Sequence, residues 1–173
     1  IQLTEAFTDD GFKGFSRPVL PNLKFVILTL YHEKFIDLPI AFAPEKIHDT
    51  LGEIVSRSGL RQLHTSESEK FSHITFFFNG GNNQPFNGEE QVRIASPRSI
   101  PFDQVPEMSL PHVSRQVLKG IEQEYDLIVA NFANGDVIGH TSNNDAKIQC
   151  ATIVDGWIGQ VIDYAKANDY VVI

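Results

Sequence analysis

The hydrophobic positions of this 173-residue chain fall into continuous runs and helical repeats that follow one another along most of its length. Continuous apolar, β-rich runs predict buried strands at residues 24–31, 91–96 and 125–132, with a short strand at 60–64. A last apolar run at 170–173 predicts one more strand. Strands without polar alternation are typical of a parallel sheet that is covered on both faces.

Between these runs, apolar residues recur at helical spacing. One helix is predicted to begin near Pro111 and another to end at Gly59. The longest helix is predicted at residues 144–167, and its apolar face comprises Ile148, Ala151, Val154, Ile158, Val161, Ile162 and Ala165. The helix that ends at Gly59 has its apolar positions at Ile47, Leu51, Ile54 and Val55. Alternating strands and helices predict an α/β fold, a mostly parallel sheet flanked by helices.

The stretch at residues 66–81 admits two interpretations. Ser66 and Glu69 match a capping box, which predicts that a helix begins there, and Gly80 and Gly81 would end it. The β-branched and aromatic residues of HITFFF favour a strand instead. We prefer the helix, because both of its ends carry a signal.

Composition narrows the class of protein. The net charge of -8 argues against general nucleic-acid binding, which needs a basic surface. No apolar run is long enough to cross a membrane, and no signal peptide opens the chain. The single cysteine, Cys150, lies on the apolar face of the longest helix and suits a reducing compartment. We therefore expect a cytoplasmic protein without nucleic-acid or membrane partners.

The ends of the chain suggest a piece of a longer protein. The chain begins at Ile1 without a methionine and stops inside an apolar run. A proline-containing stretch at residues 32–45 is the best candidate for a domain boundary.

Asp136 and His140 are candidate metal ligands. They follow the strand at 125–132, and ligands of open α/β sheets bind where strands end. If the segment turns like a helix, a four-residue spacing brings both side chains within reach of one ion. Carboxylate and imidazole suit manganese or zinc. The alternative is that Asp136 caps a helix and His140 is an ordinary surface histidine.

Lys70 is a candidate anion-binding residue. In the first turn of a helix a lysine opposes the helix dipole, unless an anion binds there. The alternative is a solvated lysine that Glu67 and Glu69 neutralise.

Four long motifs resemble one family closely. They are LRQLHTSESEKFSHITFFFNGG, PFNGEE, SPRSIPFDQVPEMS and YDLIVANFANGDVIGHT, in this order. Together they are similar to the cofactor-independent, or 2,3-bisphosphoglycerate-independent, phosphoglycerate mutases. The resemblance extends over nearly the whole chain, from IQLTEAFTDDGF onward.

This resemblance implies two domains. One is alkaline-phosphatase-like and binds metal, and the other is a phosphotransferase domain inserted into it. Residues 1–44 would be the C-terminal end of the inserted domain plus a linker. Residues 45–173 would be part of the metal-binding domain. The family is typically monomeric, so we expect the parent protein to be a monomer.

The resemblance also implies a reaction and its residues. Family members interconvert 3-phosphoglycerate and 2-phosphoglycerate in glycolysis and gluconeogenesis, through a phosphoserine and two Mn2+ ions, without 2,3-bisphosphoglycerate. Asp136 and His140 match two ligands of one manganese, and Lys70 matches a lysine that contacts the substrate phosphate.

Some of the family's residues have no match in this chain. The nucleophilic serine has none, so no catalytic nucleophile is assigned here, and only one metal site is partly represented. We expect the chain alone to be inactive. Two alternatives stay open: another metal-dependent phosphatase or phosphopentomutase-like enzyme of the same superfamily, and a non-catalytic fragment.

Overall fold

The computed structural model describes residues 1–18, 20–45 and 47–173. The chain separates into two compact units, Ile1–Lys46 and Ile47–Ile173. This division lies close to the domain boundary suggested above. That the first unit belongs to an inserted transferase domain stays a prediction.

The first unit contains helix α1 (Gln2–Thr8) and a short 3-10 helix (Glu33–Phe35). The strand predicted at residues 24–31 is wrong. Within the described part of this unit, that run forms a single parallel bridge, between Ile27 and Ile40. A β-rich run becomes a strand only when a neighbour pairs with it over several residues, and this run pairs at one position.

The second unit is built on a three-stranded parallel sheet. Its strands are β1 (Gln62–Glu67), β2 (Glu89–Ile94) and β3 (Leu127–Asn131), in the spatial order β2-β1-β3. Both neighbours of β1 run parallel to it. The prediction of a parallel sheet flanked by helices is therefore confirmed.

The central strand β1 is buried along its whole length. Gln62 lies opposite Glu89 of β2 and Leu127 of β3, which sets the register of both ladders. Successive side chains point to opposite faces of the sheet. The helix at residues 110–122 packs closely on one face of the sheet, where its Gly120 lies directly against Leu63.

Five helices belong to this unit: α2 (Leu51–Arg57), α3 (Phe71–Ile74), α4 (Leu110–Glu122), α5 (Asn134–Gly139) and α6 (Asn144–Ala167). A 3-10 helix (Phe102–Gln104) precedes α4. The predicted start near Pro111 and the predicted span of the longest helix are confirmed. The Thr50 side chain caps α2 by accepting from the Glu53 backbone N–H, and Gly59 follows its end with φ 72°.

The capping box predicted at Ser66 and Glu69 is wrong. Ser66 lies in β1, and its hydroxyl donates to the Asn131 carbonyl at 2.9 Å. The helix there is only α3, with Lys70 at its N-cap and no side-chain cap. The rival strand at 73–78 is absent too, since those residues form the end of α3 and turns. The tertiary pairing of β1 overrides the local helix signal.

The apolar face predicted for α6 is only partly buried. Its buried residues are Ala146, Cys150 and Ala165, whereas Ile148 and Ile158 are exposed. The burial of Cys150 agrees with its predicted place in the core.

The strand predicted at residues 170–173 is also wrong. The Tyr170 hydroxyl donates to the Tyr125 carbonyl at 2.6 Å, and the three residues after it are exposed without strand pairing. In the part of the chain that the structure describes, no helix is both long and apolar enough to cross a bilayer.

Candidate functional site

Three of the singled-out side chains meet at one edge of the sheet. Lys70 follows the end of β1, and Asp136 follows the end of β3, its parallel neighbour. The Lys70 ammonium forms an ion pair with Oδ2 of Asp136. The other carboxylate oxygen, Oδ1, lies 3.4 Å from Nε2 of His140. The structure thus brings together Lys70, Asp136 and His140 where parallel strands end, the usual place for a ligand in such sheets.

Helix α5 presents the Asp136–His140 pair. The His140 backbone N–H donates to the Asp136 carbonyl at 3.1 Å, so the segment has the helical turn that the spacing requires. Residues four apart lie on one face of a helix. Both side chains face solvent, with 82% of His140 and 50% of Asp136 exposed. A ligand could therefore reach them without a change in the core.

Lys70 takes a position that the sequence did not predict. It precedes the four-residue helix α3 as its N-cap and has no place in a first helical turn. Its side chain is 19% exposed, and its partner is Asp136. Among the described residues, Lys70 forms its ion pair with Asp136 and none with Glu67 or Glu69.

The two neighbours of Asp136 lower the pKa of its carboxyl group. The hydrogen bond from the Lys70 ammonium is the main cause that holds the pKa of Asp136 below its ordinary value, and the nearby His140 acts in the same direction. The carboxylate of Asp136 is therefore ionised at neutral pH and available as an anionic ligand.

The donor set of Asp136 and His140 fits a divalent metal. Oxygen and nitrogen ligands lie about 2.0–2.2 Å from such an ion, and two donors 3.4 Å apart can share one ion at those distances. An imidazole binds metal in its neutral form, so Nε2 would be the ligand and Nδ1 would keep the proton. Across residues 1–18, 20–45 and 47–173, no group of three or more His, Cys, Asp or Glu side chains is arranged to hold a metal ion.

Glu67, considered from the sequence only as a neighbour of Lys70, is a buried carboxyl group. It lies at the end of β1 and is 1% exposed. Its Oε1 accepts a hydrogen bond from the Ser109 backbone N–H at 2.9 Å. Burial raises the pKa of Glu67 above its ordinary value. A charged residue in a fully buried strand gave no local signal, because its partner is distant in sequence.

A buried polar network also fastens the turns after Lys70 to the sheet. His64 of β1 has Nδ1 at 2.7 Å from the Ile74 carbonyl and Nε2 at 3.1 Å from Oε1 of Gln62. Asn79 donates to both carboxylate oxygens of Glu89 at 2.9 Å. Burial lowers the pKa of His64, and the neighbouring Glu89 opposes this. The network ties α3 and the turns that follow it to β1 and β2.

Comparisons with known proteins agree on one group. In a crystal structure of Leishmania mexicana phosphoglycerate mutase at low cobalt concentration, the matching region has a TM-score of 0.74 and 26% identity, over 96% of this chain and 31% of that one. The 2,3-bisphosphoglycerate-independent phosphoglycerate mutase of Shewanella amazonensis is 45% identical over 163 residues, 94% of this chain and 32% of that protein. The enzyme of the same name from Wolinella succinogenes is 42% identical over 172 residues, which cover 99% of this chain and 35% of that protein.

These matches confirm the resemblance drawn from the four motifs. The chain spans about a third of the length of the curated relatives it matches. The family model described as the metalloenzyme superfamily matches residues 10–173. Because this match extends over almost all of its residues, the chain belongs to the metalloenzyme superfamily.

Proposed function

We propose that this chain is part of a cofactor-independent phosphoglycerate mutase, which interconverts 3-phosphoglycerate and 2-phosphoglycerate. The observation that carries the proposal is the convergence of Lys70, Asp136 and His140 at the carboxyl edge of the sheet. An ammonium beside a metal-binding pair is suited to phosphoryl transfer, which depends on positioning and on neutralising charge. The mutases at 42% and 45% identity favour this reaction over a phosphatase or a phosphopentomutase.

In this proposal Asp136 and His140 hold one of two Mn2+ ions. Asp136 would supply a carboxylate oxygen and His140 the Nε2 lone pair. When bound, the metal polarises phosphoryl oxygens and stabilises the negative charge that develops during transfer. The remaining ligands, and the serine that takes the phosphoryl group, would come from segments that this chain does not contain.

Lys70 would bind the phosphate of the substrate. Its ammonium donates to Asp136 in the structure, and a phosphate dianion offers stronger acceptors at the same place. A fixed positive charge there costs no reorganisation when charge builds up on the phosphoryl oxygens. Lys70 thus orients the substrate and stabilises charge, and it transfers no proton.

The proposed protein has small-molecule partners and acts in the cytoplasm as a monomer. Interconversion of the two phosphoglycerates would place it in glycolysis and gluconeogenesis. It would need no 2,3-bisphosphoglycerate, because the phosphoryl group would move through the enzyme's own serine.

The test is a mutase assay on the full-length protein that contains this chain. We expect conversion of 3-phosphoglycerate that requires Mn2+ and proceeds without 2,3-bisphosphoglycerate. Asp136→Asn should abolish turnover, because it removes an anionic ligand. Asp155→Asn, at an exposed position of α6, is the matched control and should keep the wild-type rate. Full activity of Asp136→Asn would refute the ligand assignment.

A further inference from the structure

The two faces of helix α5 carry different kinds of residue. Asp136 and His140 lie on its outer face, and Asn134 and Ile138, also four residues apart, lie on its inner face. Both inner side chains are completely buried. A residue two positions along a helix turns by about 200°. The orientation of the outer pair therefore depends on what holds the inner pair.

Residues 106–109, named here the 106–109 segment, contact the inner face of α5. Nδ2 of Asn134 donates to the Pro106 carbonyl at 2.8 Å. Ile138 packs in one apolar cluster with Met108. Met108 has φ 47°, in the left-handed region that few residues other than glycine adopt. A helix of six residues is not stable alone, so α5 depends on these contacts and on those of Ile138 with Ala146 and Cys150 of α6 in the same cluster.

The same segment holds the end of β1, which leads to Lys70. The Ser109 backbone N–H donates to the buried Glu67 carboxyl group at 2.9 Å. The Lys70 backbone N–H in turn donates to the Glu67 carbonyl at 3.1 Å. The Ser109 hydroxyl donates to the Ala95 carbonyl at 2.8 Å, just after β2. The 106–109 segment therefore contacts both elements that supply the site.

We infer that the 106–109 segment is a spacer that sets the position of Lys70 relative to Asp136 and His140. Asn134 and Glu67 are the two positioning residues through which it acts. Neither touches the ion or the phosphate in this account, and each works by fixing the residue that does. This inference rests on the proposed function, because the spacing matters only if a metal and a phosphate bind there.

The first test concerns Asn134 in the full-length protein, with Co2+ as the probe and its visible spectrum as the readout. Asn134→Ala removes the donor to Pro106 and should weaken Co2+ binding about 10-fold or more, as loss of supporting contacts does at metal sites. In Asn134→Ser the side chain is too short to reach Pro106, so Co2+ binding should be weakened to a similar extent. Val117→Ala creates a cavity in the other core cluster and should leave Co2+ affinity unchanged.

The second test is hydrogen exchange without metal. Asn134→Ala should speed exchange of the α5 amides and of the His140 N–H, which donates to the Asp136 carbonyl, and leave the α4 amides unchanged. Unchanged exchange in α5 would overturn the inference whatever the metal does. Co2+ affinity equal to that of the wild type in both Asn134 variants would overturn it as well, if Asp136→Asn loses affinity. Wild-type affinity in Asp136→Asn would instead refute the metal assignment of the proposed function.

Two variants of Glu67 test its role in positioning Lys70, because one keeps the hydrogen-bond acceptor and the other removes it. Glu67→Gln keeps an oxygen acceptor for the Ser109 N–H, and Glu67→Ala does not. We expect Glu67→Ala to raise the KM for 3-phosphoglycerate, because Lys70 shifts, and Glu67→Gln to restore it. An equal KM in Glu67→Ala and the wild type would contradict this role.

Discussion

The ammonium of Lys70 and the carboxylate of Asp136 form an ion pair between the ends of two neighbouring parallel strands. Each residue alone has an ordinary structural explanation. Their contact joins the candidate anion-binding lysine to both candidate metal ligands, because the other oxygen of the same carboxylate lies 3.4 Å from Nε2 of His140. The pair is therefore the part of the structure on which the proposed chemistry depends most.

Replacing Lys70 tests whether this charge acts on the substrate. Lys70→Ala should lower the mutase kcat by about 10²–10³-fold, the usual loss when one group that stabilises transition-state charge is removed. Circular dichroism and the thermal midpoint should stay near those of the wild type, since an ion pair with a half-exposed carboxylate contributes little to stability. Lys119→Ala removes an exposed lysine of α4 and is the matched control. An unchanged kcat in Lys70→Ala would make this lysine an ordinary surface charge.

The buried Glu67 predicts a particular dependence of stability on pH. Its folded-state pKa is raised above the ordinary value of 4.5, chiefly because it is buried. Its contribution to stability is therefore present below the unfolded-state pKa and is lost as the pH rises through the folded-state pKa. Glu67→Gln carries no charge and lacks this loss. The free energy of unfolding of the variant, relative to the wild type, should thus increase as the pH rises above 4.5.

Urea unfolding of both proteins at a series of pH values measures this difference. A constant difference between variant and wild type from acid to neutral pH would show that Glu67 titrates as it does in the unfolded chain. Asp155, an exposed carboxyl group on α6, offers a control, because Asp155→Asn changes charge without relieving a buried carboxylate.

Gly120 tests the close packing of α4 on the sheet. A Cβ atom there would lie 2.6 Å from Cδ2 of Leu63 and 3.1 Å from Cδ1 of Ile128. Leu63 is completely buried and has little room to move, so Gly120→Ala should destabilise the fold by about 1–3 kcal/mol. Gly156→Ala in α6 meets nothing within 4 Å and should stabilise it by about 1 kcal/mol. Equal stability of the two variants by urea unfolding would contradict this packing.

Local patterns predicted the fold well where helices and strands follow from neighbouring residues. Helix α6 and the start of α4 agree with the sequence analysis for this reason. The local pattern gave a wrong prediction at Ser66, where a capping-box sequence lies in strand β1. There the hydroxyl bonds to Asn131 of β3, a residue far along the chain, and no local rule contains that contact.

The candidate site divides in the same way. The spacing of Asp136 and His140 is local, so the sequence could suggest that they share a helix face. The contact between Lys70 and Asp136 joins two strand ends, and only the tertiary structure contains it. Glu67 and Asn134 were missed because buried polar side chains have no periodicity of their own. They become visible once their partners, Ser109 and Pro106, are known.

Anomalous diffraction at the manganese edge, from crystals of the full-length protein with Mn2+ and 3-phosphoglycerate, tests most directly whether Asp136 and His140 bind the metal. Of the two Mn2+ ions proposed for the enzyme, we expect one to give an anomalous peak within bonding distance of a carboxylate oxygen of Asp136 and of Nε2 of His140. The Lys70 ammonium should then contact the substrate phosphate. No Mn2+ peak at Asp136 and His140, with Lys70 still paired to Asp136 and the phosphate bound by other residues, would contradict the proposed site.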